Sequence, residues 1–335
     1  MSRTASDRST VAIVIPALNE ERSISACLDA VLAQTWTDLD VIVADGGSTD
    51  ATRAIVDEYG GRDGRVRIVD NPRRTQPAAL NSAVAHTDAD WIVRIDAHST
   101  VPPTYVASVM THLSTGNWGG VGGRKDGVAH SAQGRAVAAA LGSPFGVGNS
   151  VYHHGTEVQT VDHIPFGAYP MAVVRELGGW DENTPTNEDY EFDYRVRQSG
   201  KELLFDPRLV IFWETRETVK AFFQQYRRYG RAKYLTLRKH PESAAIRHLI
   251  PTGLVATLVA ASVIACVRPR WAAAIVAPYA GVIAAATATV APTLDSAESR
   301  RWLPLAFMAM HLGHGIGMWE ALLVGARPEG GRRRG

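Results

Sequence analysis

Residues 11–20 of this 335-residue chain have the sequence VAIVIPALNE, an apolar run that ends in Asn19 and Glu20. The same change from apolar to acidic residues recurs in VIVADGGSTD at 41–50 and in WIVRIDAHST at 91–100. Short apolar runs bounded by turn residues predict buried strands. The segments between them have the spacing of helices, so the three strands should be parallel neighbours in one sheet. Because ligands of such sheets bind beyond the carboxyl ends of the strands, all three acidic loops should line one crevice.

Further predicted elements extend this pattern. Apolar residues recur at helical spacing over 24–32, and helices are also expected over 51–59 and 77–85. With a short strand at 66–69, the alternation of strands and helices predicts a doubly wound α/β sheet. A glycine-rich stretch at 116–123 predicts a turn into an edge strand. A crevice rimmed with carboxylates suits a metal-bridged phosphate or a sugar, and it does not suit a bare anion.

The overall composition excludes one class of partner and indicates a compartment. Lys and Arg number 35 against 34 Asp and Glu, a net charge of +1, which gives no electrostatic case for nucleic acid as a partner. The two cysteines, Cys27 and Cys266, fall in very different contexts, so no disulfide is expected and the soluble part should face a reducing compartment. Residues 1–10 are polar and lack an apolar core, which predicts a disordered N-terminus and no secretory signal.

The composition changes near residue 249, where the first of three long apolar stretches begins. They cover 249–267, 271–293 and 302–325, and each is about as long as the ~20 residues that span a bilayer. We therefore predict two to three transmembrane helices within 249–325 and a basic tail at 326–335; the alternative is a set of buried helices. Basic residues precede the first stretch, which places the N-terminal domain in the cytoplasm. Three spans would put the basic tail outside the cell, although basic residues tend to stay on the cytoplasmic side. The number of spans therefore stays open.

Five motifs in a fixed order resemble those of family 2 glycosyltransferases of the GT-A fold. They are PALNE at 16–20, DGGSTD at 45–50, DAH at 96–98, GGWDE at 178–182 and NED at 187–189. Through RIDAH at 94–98, FGAY at 166–169 and the apolar C-terminal region, the chain looks most like the succinoglycan-type exopolysaccharide glucosyltransferases. The implied fold class is α/β: a GT-A doubly wound mixed sheet at 11–240, with a C-terminal helical transmembrane region.

The resemblance assigns the donor nucleotide to the first strand ends. The residues implied are Pro16, Asn19, Glu20, Asp45 and Asp96. The carboxylate of Asp45 would accept from the ring N–H of the base, beside glycines that let the backbone approach a planar ligand. The alternative for the first loop is a helix cap, since acidic residues favour helix N-termini in any case. Ser48 and Asp50 are interpreted as capping residues rather than ligands.

The DAH motif takes the place of the family's Asp-x-Asp metal motif, which implies a metal site at Asp96 and His98. A departing nucleoside diphosphate carries charge that Mn²⁺ or Mg²⁺ can neutralise by bridging the phosphates. Imidazole is a softer ligand than carboxylate and would favour Mn²⁺. Two alternatives remain: His98 contacts phosphate or sugar, or it is a structural residue at a strand end.

The resemblance places the bond-making step on Glu188 and Asp189. An inverting transfer needs a base to deprotonate the acceptor hydroxyl, and Asp189 is implied as that base, with Glu188 orienting it or contacting the acceptor. The alternative is a charged helix start that complements the helix dipole.

A third set, Gln225, Arg228 and Tyr229, matches the Gln-x-x-Arg-Trp motif with tyrosine in place of tryptophan, and would border the acceptor and the diphosphate. Its alternative is an interfacial amphipathic helix.

Together these residues predict an inverting, metal-dependent hexosyltransferase of cell-surface polysaccharide biosynthesis. It would move a hexose, with glucose as the leading candidate, from a UDP-sugar to a polyprenyl-diphosphate-linked saccharide. Two alternatives stay open: transfer directly to polyprenyl phosphate, and a non-catalytic nucleotide-sugar-binding scaffold of a polysaccharide assembly complex. The expected location is the inner, cytoplasmic membrane, with a multi-pass chain in contact with membrane lipid and a catalytic domain facing the cytoplasm.

Overall fold

The computed structural model describes residues 10–184 and 186–325. Within them the chain forms nine strands and twelve α-helices. The strands are β1 Val11–Ala17, β2 Leu39–Asp45, β3 Val66–Asp70, β4 Trp91–Arg94, β5 Ser99–Thr100, β6 Trp118–Val128, β7 Gln159–Val161, β8 Ala168–Pro170 and β9 Glu202–Glu214. The helices are α1 Ile24–Leu32, α2 Thr52–Arg62, α3 Gln76–Ala85, α4 Tyr105–Leu113, α5 Ala132–Leu141, α6 Pro144–Val147, α7 Met171–Glu176, α8 Glu188–Gln198, α9 Val219–Lys239, α10 Ile246–Ala265, α11 Pro269–Val290 and α12 Ala297–Val324.

The described residues divide into two compact units. The first comprises 10–125 and 155–213, and the second comprises 126–154 and 214–325. The predicted glycosyltransferase segment, 11–240, thus contributes residues to both units. Each unit has its own architecture, the first built on a sheet and the second on helices.

The sheet of the first unit is mixed and has the order β3-β2-β1-β4-β8-β6-β9-β5, with β7 paired to β9. β1 runs parallel to β2 and β4, with Val11 opposite Leu39 and Trp91, and β2 runs parallel to β3. β8 pairs antiparallel with β4, which makes the sheet mixed. The predicted parallel strands are confirmed, and the carboxyl ends of β1, β2 and β4 lie along one edge.

Helices cover both faces of this sheet, as the sequence predicted. On one face, Ile13 and Val41 pack in a core with residues of α1 and α4. On the other face, Val14 and Ile42 pack with residues of α3, α7 and α8. Strands that are buried on both faces are apolar along their whole length, which explains the continuous apolar runs of the sequence.

The expectation that the glycine-rich stretch leads into an edge strand is wrong. β6 lies between β8 and β9, inside the sheet. Neighbouring side chains lie directly against its glycines: a Cβ added to Gly122 would lie 2.5 Å from Ile164, and one added to Gly120 would lie 2.7 Å from the Tyr169 ring. These glycines therefore make room for bulky neighbours. A glycine-rich sequence is equally consistent with a turn and with close packing inside a sheet, so composition alone does not distinguish the two.

The second unit is dominated by the packing of α9 against α12. Glycines allow close approach of the two backbones: Gly230 on α9, and Gly313 and Gly317 on α12. Beside this contact, Glu320 on α12 forms ion pairs with Arg227 at 2.5 Å and with Arg231 at 2.6 Å, both on α9. The long helix that carries the Gln225 motif is therefore held against the last described helix by backbone contact and by charge.

Two helices of the second unit are long and apolar enough to cross a membrane, by length and composition. They contain His248–Ala265 and Pro269–Thr293, and several of their large side chains are exposed, including Leu249, Val259 and Trp271. The third predicted stretch, 302–325, lies in α12, which is not one of the two. The predictions for residues 1–9 and for the basic tail at 326–335 fall outside the described residues.

Both cysteines are free thiols. Cys27 lies on α1 with its side chain buried in the core, and Cys266 is exposed at the end of α10. Burial raises the pKa of the Cys27 thiol far above its usual range, so this side chain behaves as a small core residue.

Candidate active site

The ends of the first two strands carry loops that hydrogen-bond to each other. Asn19 adopts a left-handed backbone conformation with φ of 59°, which asparagine tolerates better than most residues. Its N–H donates to Ser48 Oγ at 2.9 Å, and its Oδ1 accepts from the Thr49 N–H at 2.8 Å. The Glu20 N–H donates to Thr52 Oγ1 at 2.7 Å. The two predicted nucleotide loops therefore form one connected rim, with Pro16 just behind them in β1.

Asp45 ends β2, and its carboxylate lies entirely out of solvent. It accepts from the N–H groups of Gly47 at 3.1 Å and Ser48 at 3.2 Å, from the Ser48 hydroxyl at 2.5 Å, and from Arg53 Nη1 at 3.2 Å. Asp45 therefore holds its own loop in shape. A nucleobase N–H would have to replace one of these donors, and base recognition by Asp45 stays a prediction. Asp50 is not the N-cap of α2, because that position is taken by Ala51; its carboxylate accepts the Thr52 N–H at 3.0 Å just before the helix.

The end of β4 carries a buried arginine that joins three carboxylates. Arg94 is 3% exposed. Its Nε donates to Asp96 Oδ1 at 2.9 Å, and its Nη1 donates to Glu188 Oε1 at 3.0 Å and to Asp189. Gln76 Nε2 also donates to Asp96, at 3.2 Å. The structure thus brings Asp96 together with the Glu188-Asp189 pair, which the chain separates by more than ninety positions.

Helix α8, which presents this pair, is fixed by a second buried carboxylate. Asp193 lies one turn beyond Asp189 and is fully buried. It accepts from the Tyr169 hydroxyl and from His163 Nδ1 at 2.7 Å each, and from the Ile164 N–H at 2.8 Å. These bonds anchor the helix to β8 and to the segment before it. The position of Asp189 is therefore set by the body of the first unit.

The electrostatics of the cluster differ from one carboxylate to the next. Burial acts to raise the pKa of Asp96, but the charge of Arg94 outweighs it, and the pKa lies below its usual range. Burial and the neighbouring Asp189 carboxylate raise the pKa of Glu188 to about 8. Glu188 therefore tends to hold a proton at neutral pH, whereas Asp96 stays ionised.

His98 shares one feature with metal-binding histidines, a contact between one ring nitrogen and a carboxylate. Its Nδ1 lies 3.3 Å from Glu20 Oε1, so an Nδ1–H donated to that carboxylate leaves the Nε2 lone pair for a ligand. Burial acts to lower the pKa of His98, and the bond to Glu20 outweighs it and raises the pKa. Within the described residues, no three His, Cys, Asp or Glu side chains form a complete metal cage. Asp96 and His98 still fit an ion that takes its remaining ligands from phosphates and water, as Mg²⁺ commonly does.

Comparison with known sequences identifies the family. The model for glycosyl transferase family 2 matches residues 12–176, and the model for glycosyl transferase family group 2 matches 166–290. Over 318 residues the chain is 33% identical to the succinoglycan biosynthesis protein ExoA of Rhizobium meliloti (strain 1021), covering 93% of this chain and 94% of that protein. This chain is a family 2 glycosyltransferase. The family predicted from the five motifs, with its likeness to a succinoglycan protein, is confirmed.

Two further similarities concern a more distant relative and the fold of this glycosyltransferase. It is 25% identical over 239 residues to a dolichyl N-acetyl-alpha-D-glucosaminyl phosphate 3-beta-D-2,3-diacetamido-2,3-dideoxy-beta-D-glucuronosyltransferase of Methanococcus voltae, covering 68% of this chain and 74% of that protein. Among solved structures, it resembles a mannosyltransferase from Pyrobaculum calidifontis in complex with GDP-Man and Mn²⁺. The TM-score is 0.63 at 18% identity, with 92% of this chain and 88% of that chain covered. The predicted GT-A fold is confirmed.

One predicted set of site residues of the glycosyltransferase belongs to the second unit. Gln225 is buried on α9 and donates from Nε2 to the Tyr229 hydroxyl at 2.9 Å, whereas Arg228 is exposed. Their role beside the acceptor or the diphosphate stays a prediction. Arg73, in the loop after β3, forms an ion pair with Glu182 at 2.5 Å.

Sequence reasoning missed the cations of the site. The sequence presents Arg94 only as part of a motif and gives no sign of Lys125, a residue of β6 on which the charges of Asp96 and Asp189 act. Arg94 had a usable signal, because a charged residue inside the apolar run WIVRI must find a buried partner. Lys125 had none, since the surrounding GGRKDG reads as a polar turn.

Proposed function

We propose that this glycosyltransferase moves a hexose, with glucose as the leading candidate, from a UDP-sugar to a polyprenyl-diphosphate-linked saccharide. The transfer inverts the anomeric configuration and takes place at the cytoplasmic face of the inner membrane. The product is an intermediate of a cell-surface polysaccharide.

One observation carries the proposal: Arg94 hydrogen-bonds Asp96 on one side and the Glu188-Asp189 pair on the other. Asp96 belongs to the donor side of the family's site, and Asp189 is the candidate base. A single buried guanidinium fixes the spacing between them. Such fixed positioning is what a transfer between two bound substrates requires.

The chemistry assigned to the protein's own residues is general base catalysis. The Asp189 carboxylate takes the proton of the acceptor hydroxyl. The hydroxyl oxygen attacks the anomeric carbon at the same time, from the face opposite the diphosphate. The bond between that carbon and the phosphate oxygen breaks, and its electron pair leaves with the nucleoside diphosphate. Glu188, whose pKa is raised, carries a proton and orients the acceptor or Asp189 by hydrogen bonding.

A divalent cation is the proposed cofactor, with Mn²⁺ ahead of Mg²⁺. Asp96 and His98 would hold it, and Glu20 would orient the His98 ring. When bound, such an ion neutralises the charge that develops on the departing diphosphate. The complex of the Pyrobaculum calidifontis mannosyltransferase with GDP-Man and Mn²⁺ supports this assignment.

Two observations support an acceptor carried by a lipid. The Methanococcus voltae relative is a glucuronosyltransferase of dolichyl N-acetyl-alpha-D-glucosaminyl phosphate. The second unit also carries two apolar helices with exposed large side chains, which suit insertion into a bilayer. An active site near the membrane surface would meet a lipid-linked saccharide without extracting it.

The test is sugar transfer by membranes that contain the full chain. Radiolabelled UDP-, GDP- and dTDP-sugars are supplied in turn with lipid-linked acceptors, and the lipid fraction is counted. The proposal expects label from a UDP-hexose in a saccharide of at least two sugars. Label in a single sugar on polyprenyl phosphate would favour direct transfer, and nucleotide-sugar binding without any transfer would favour a scaffold.

A further inference from the structure

Lys125, near the end of β6, has its ammonium group close to two aromatic rings of the first unit. Its Nζ lies 4.3 Å from the ring centroid of Phe166 and 4.2 Å from that of Trp213. A cation within about 6 Å of an aromatic centroid is attracted by the negative face of the ring. Two such rings attract the ammonium group.

The Phe166 ring is itself held in an uncommon backbone conformation. Its φ is 54°, a left-handed conformation that is rare and strained for a bulky residue. Phe166 is 4% exposed, and the guanidinium carbon of Arg94 lies 5.2 Å from the same ring centroid. One strained aromatic residue therefore positions both cations of the site. Strain of this kind is concentrated at functional sites.

The ammonium group of Lys125 keeps its hydrogen-bonding capacity. Among the described residues, its Nζ has no hydrogen-bond acceptor and no carboxylate within 4.0 Å, although the charges of Asp96 and Asp189 act on it. Aromatic faces attract the charge but leave the three N–H donors unused. Burial lowers the pKa of Lys125 to about 8, so the group is still largely charged at neutral pH. A partly buried cation with unused donors, beside the donor carboxylate and the base, indicates an anionic ligand.

We propose that Lys125 binds the diphosphate of the nucleotide sugar, with Phe166 and Trp213 as positioning residues. This inference rests on the proposed function, because it takes the ligand to be a nucleotide-linked sugar. As the glycosidic bond breaks, its electron pair passes to the phosphate oxygen, and Lys125 stabilises that oxygen by hydrogen bonding while keeping its own proton. The contact adds to whatever charge a bound cation supplies.

The experiment measures dissociation constants of nucleotides on the detergent-solubilised full chain. Uridine, UMP and UDP are compared, with the guanosine and thymidine series in parallel, each with EDTA and with Mn²⁺. The variants are Lys125→Met and Lys125→Arg. The matched control is Lys220→Met, which removes an exposed lysine of α9. A dissociation constant does not depend on the fraction of protein that is folded, so partial misfolding does not obscure the comparison.

Lys125→Met should weaken binding of the diphosphate by roughly 10- to 100-fold, as expected for a lost charged hydrogen bond, and should leave the monophosphate within about threefold. Lys125→Arg should restore most of the affinity, and Lys220→Met should change nothing. Trp213→Leu should weaken diphosphate binding in the wild-type background. In the Lys125→Met background the same change should have little further effect, because its contribution passes through the lysine.

Four results would overturn the inference, and they are distinguishable. Equal diphosphate affinity in wild type and Lys125→Met removes Lys125 from the donor site while leaving the proposed function intact. Equal loss of monophosphate and diphosphate indicates a structural lysine. If diphosphate affinity is unchanged but the KM for lipid-linked acceptor rises about tenfold, the anion belongs to the acceptor. A wild-type chain that binds none of the nucleotides overturns the proposed function, and this inference with it.

Discussion

The donor loops and the Arg94 cluster sit at the ends of neighbouring strands, yet they are built in opposite ways. The loops at 16–20 and 45–50 are joined mainly by hydrogen bonds between backbone and short side chains, and many of these groups are exposed. The cluster joins distant segments through charges that are almost wholly out of solvent. Many weak, replaceable bonds suit a surface that must adapt to a ligand, whereas a few buried charges suit groups that must not move.

The sharpest test of this comparison is loss of the candidate base. Asp189→Asn should lower the rate of sugar transfer by roughly 10²- to 10⁴-fold, because an amide cannot take the proton of the acceptor. Nucleotide binding should change little. Asp57→Asn, an exposed carboxylate on α2, is the control. Transfer at the wild-type rate in Asp189→Asn would remove this residue as the base.

The next largest difference is expected in the free energy of unfolding, which should fall more when the Arg94 cluster is changed than when a donor loop is changed. Arg94→Met leaves buried carboxylates unpaired and should lower the free energy of unfolding by about 3–5 kcal/mol. Arg53→Met removes a cation that is 43% exposed from the donor loop, where Asp45 keeps three other donors, and should cost roughly 1 kcal/mol. Thermal midpoints by near-UV circular dichroism check both. Equal losses would mean that the two regions do not differ as described.

Metal binding tests the junction between the two regions, where His98 contacts Glu20. His98→Ala should weaken Mn²⁺ binding by roughly 10- to 100-fold, and Glu20→Gln by less, since it acts through the histidine ring. Wild-type affinity for Mn²⁺ should fall as the pH drops through the raised pKa of His98, because a metal ligand must be deprotonated. Paramagnetic resonance of free Mn²⁺ measures this in the presence of UDP. Identical titrations of wild type and His98→Ala would exclude His98 as a ligand.

The smallest effect is expected within the donor loops. Ser48→Ala removes one acceptor of the Asn19 N–H and one donor to Asp45, and should cost about 1 kcal/mol of stability. Affinity for nucleotides should fall only a few-fold, because several neighbouring bonds remain. A loss of binding as large as that from a cluster substitution would show that the loops are as rigidly determined as the Arg94 cluster.

Much of the first unit could be predicted because its signals are local. The apolar runs predicted the parallel strands β1, β2, β3 and β4. The partners of Arg94 could not be found in this way, since they come from segments that only the fold brings together. The prediction of a turn into an edge strand was wrong for the same reason. Whether a glycine serves a turn or a close contact depends on the side chain opposite, here Ile164 at Gly122.

The contact between α9 and α12 determines how short this protein can be made. A chain that ended at residue 240, after the predicted glycosyltransferase segment, would keep α9 but lose the helix whose backbone lies against Gly230. Arg227 and Arg231 would lose Glu320, and the side of α9 around Gly230 would face solvent. Such a fragment should aggregate when produced without its C-terminal helices. Helix α12 thus serves as a folding partner for α9.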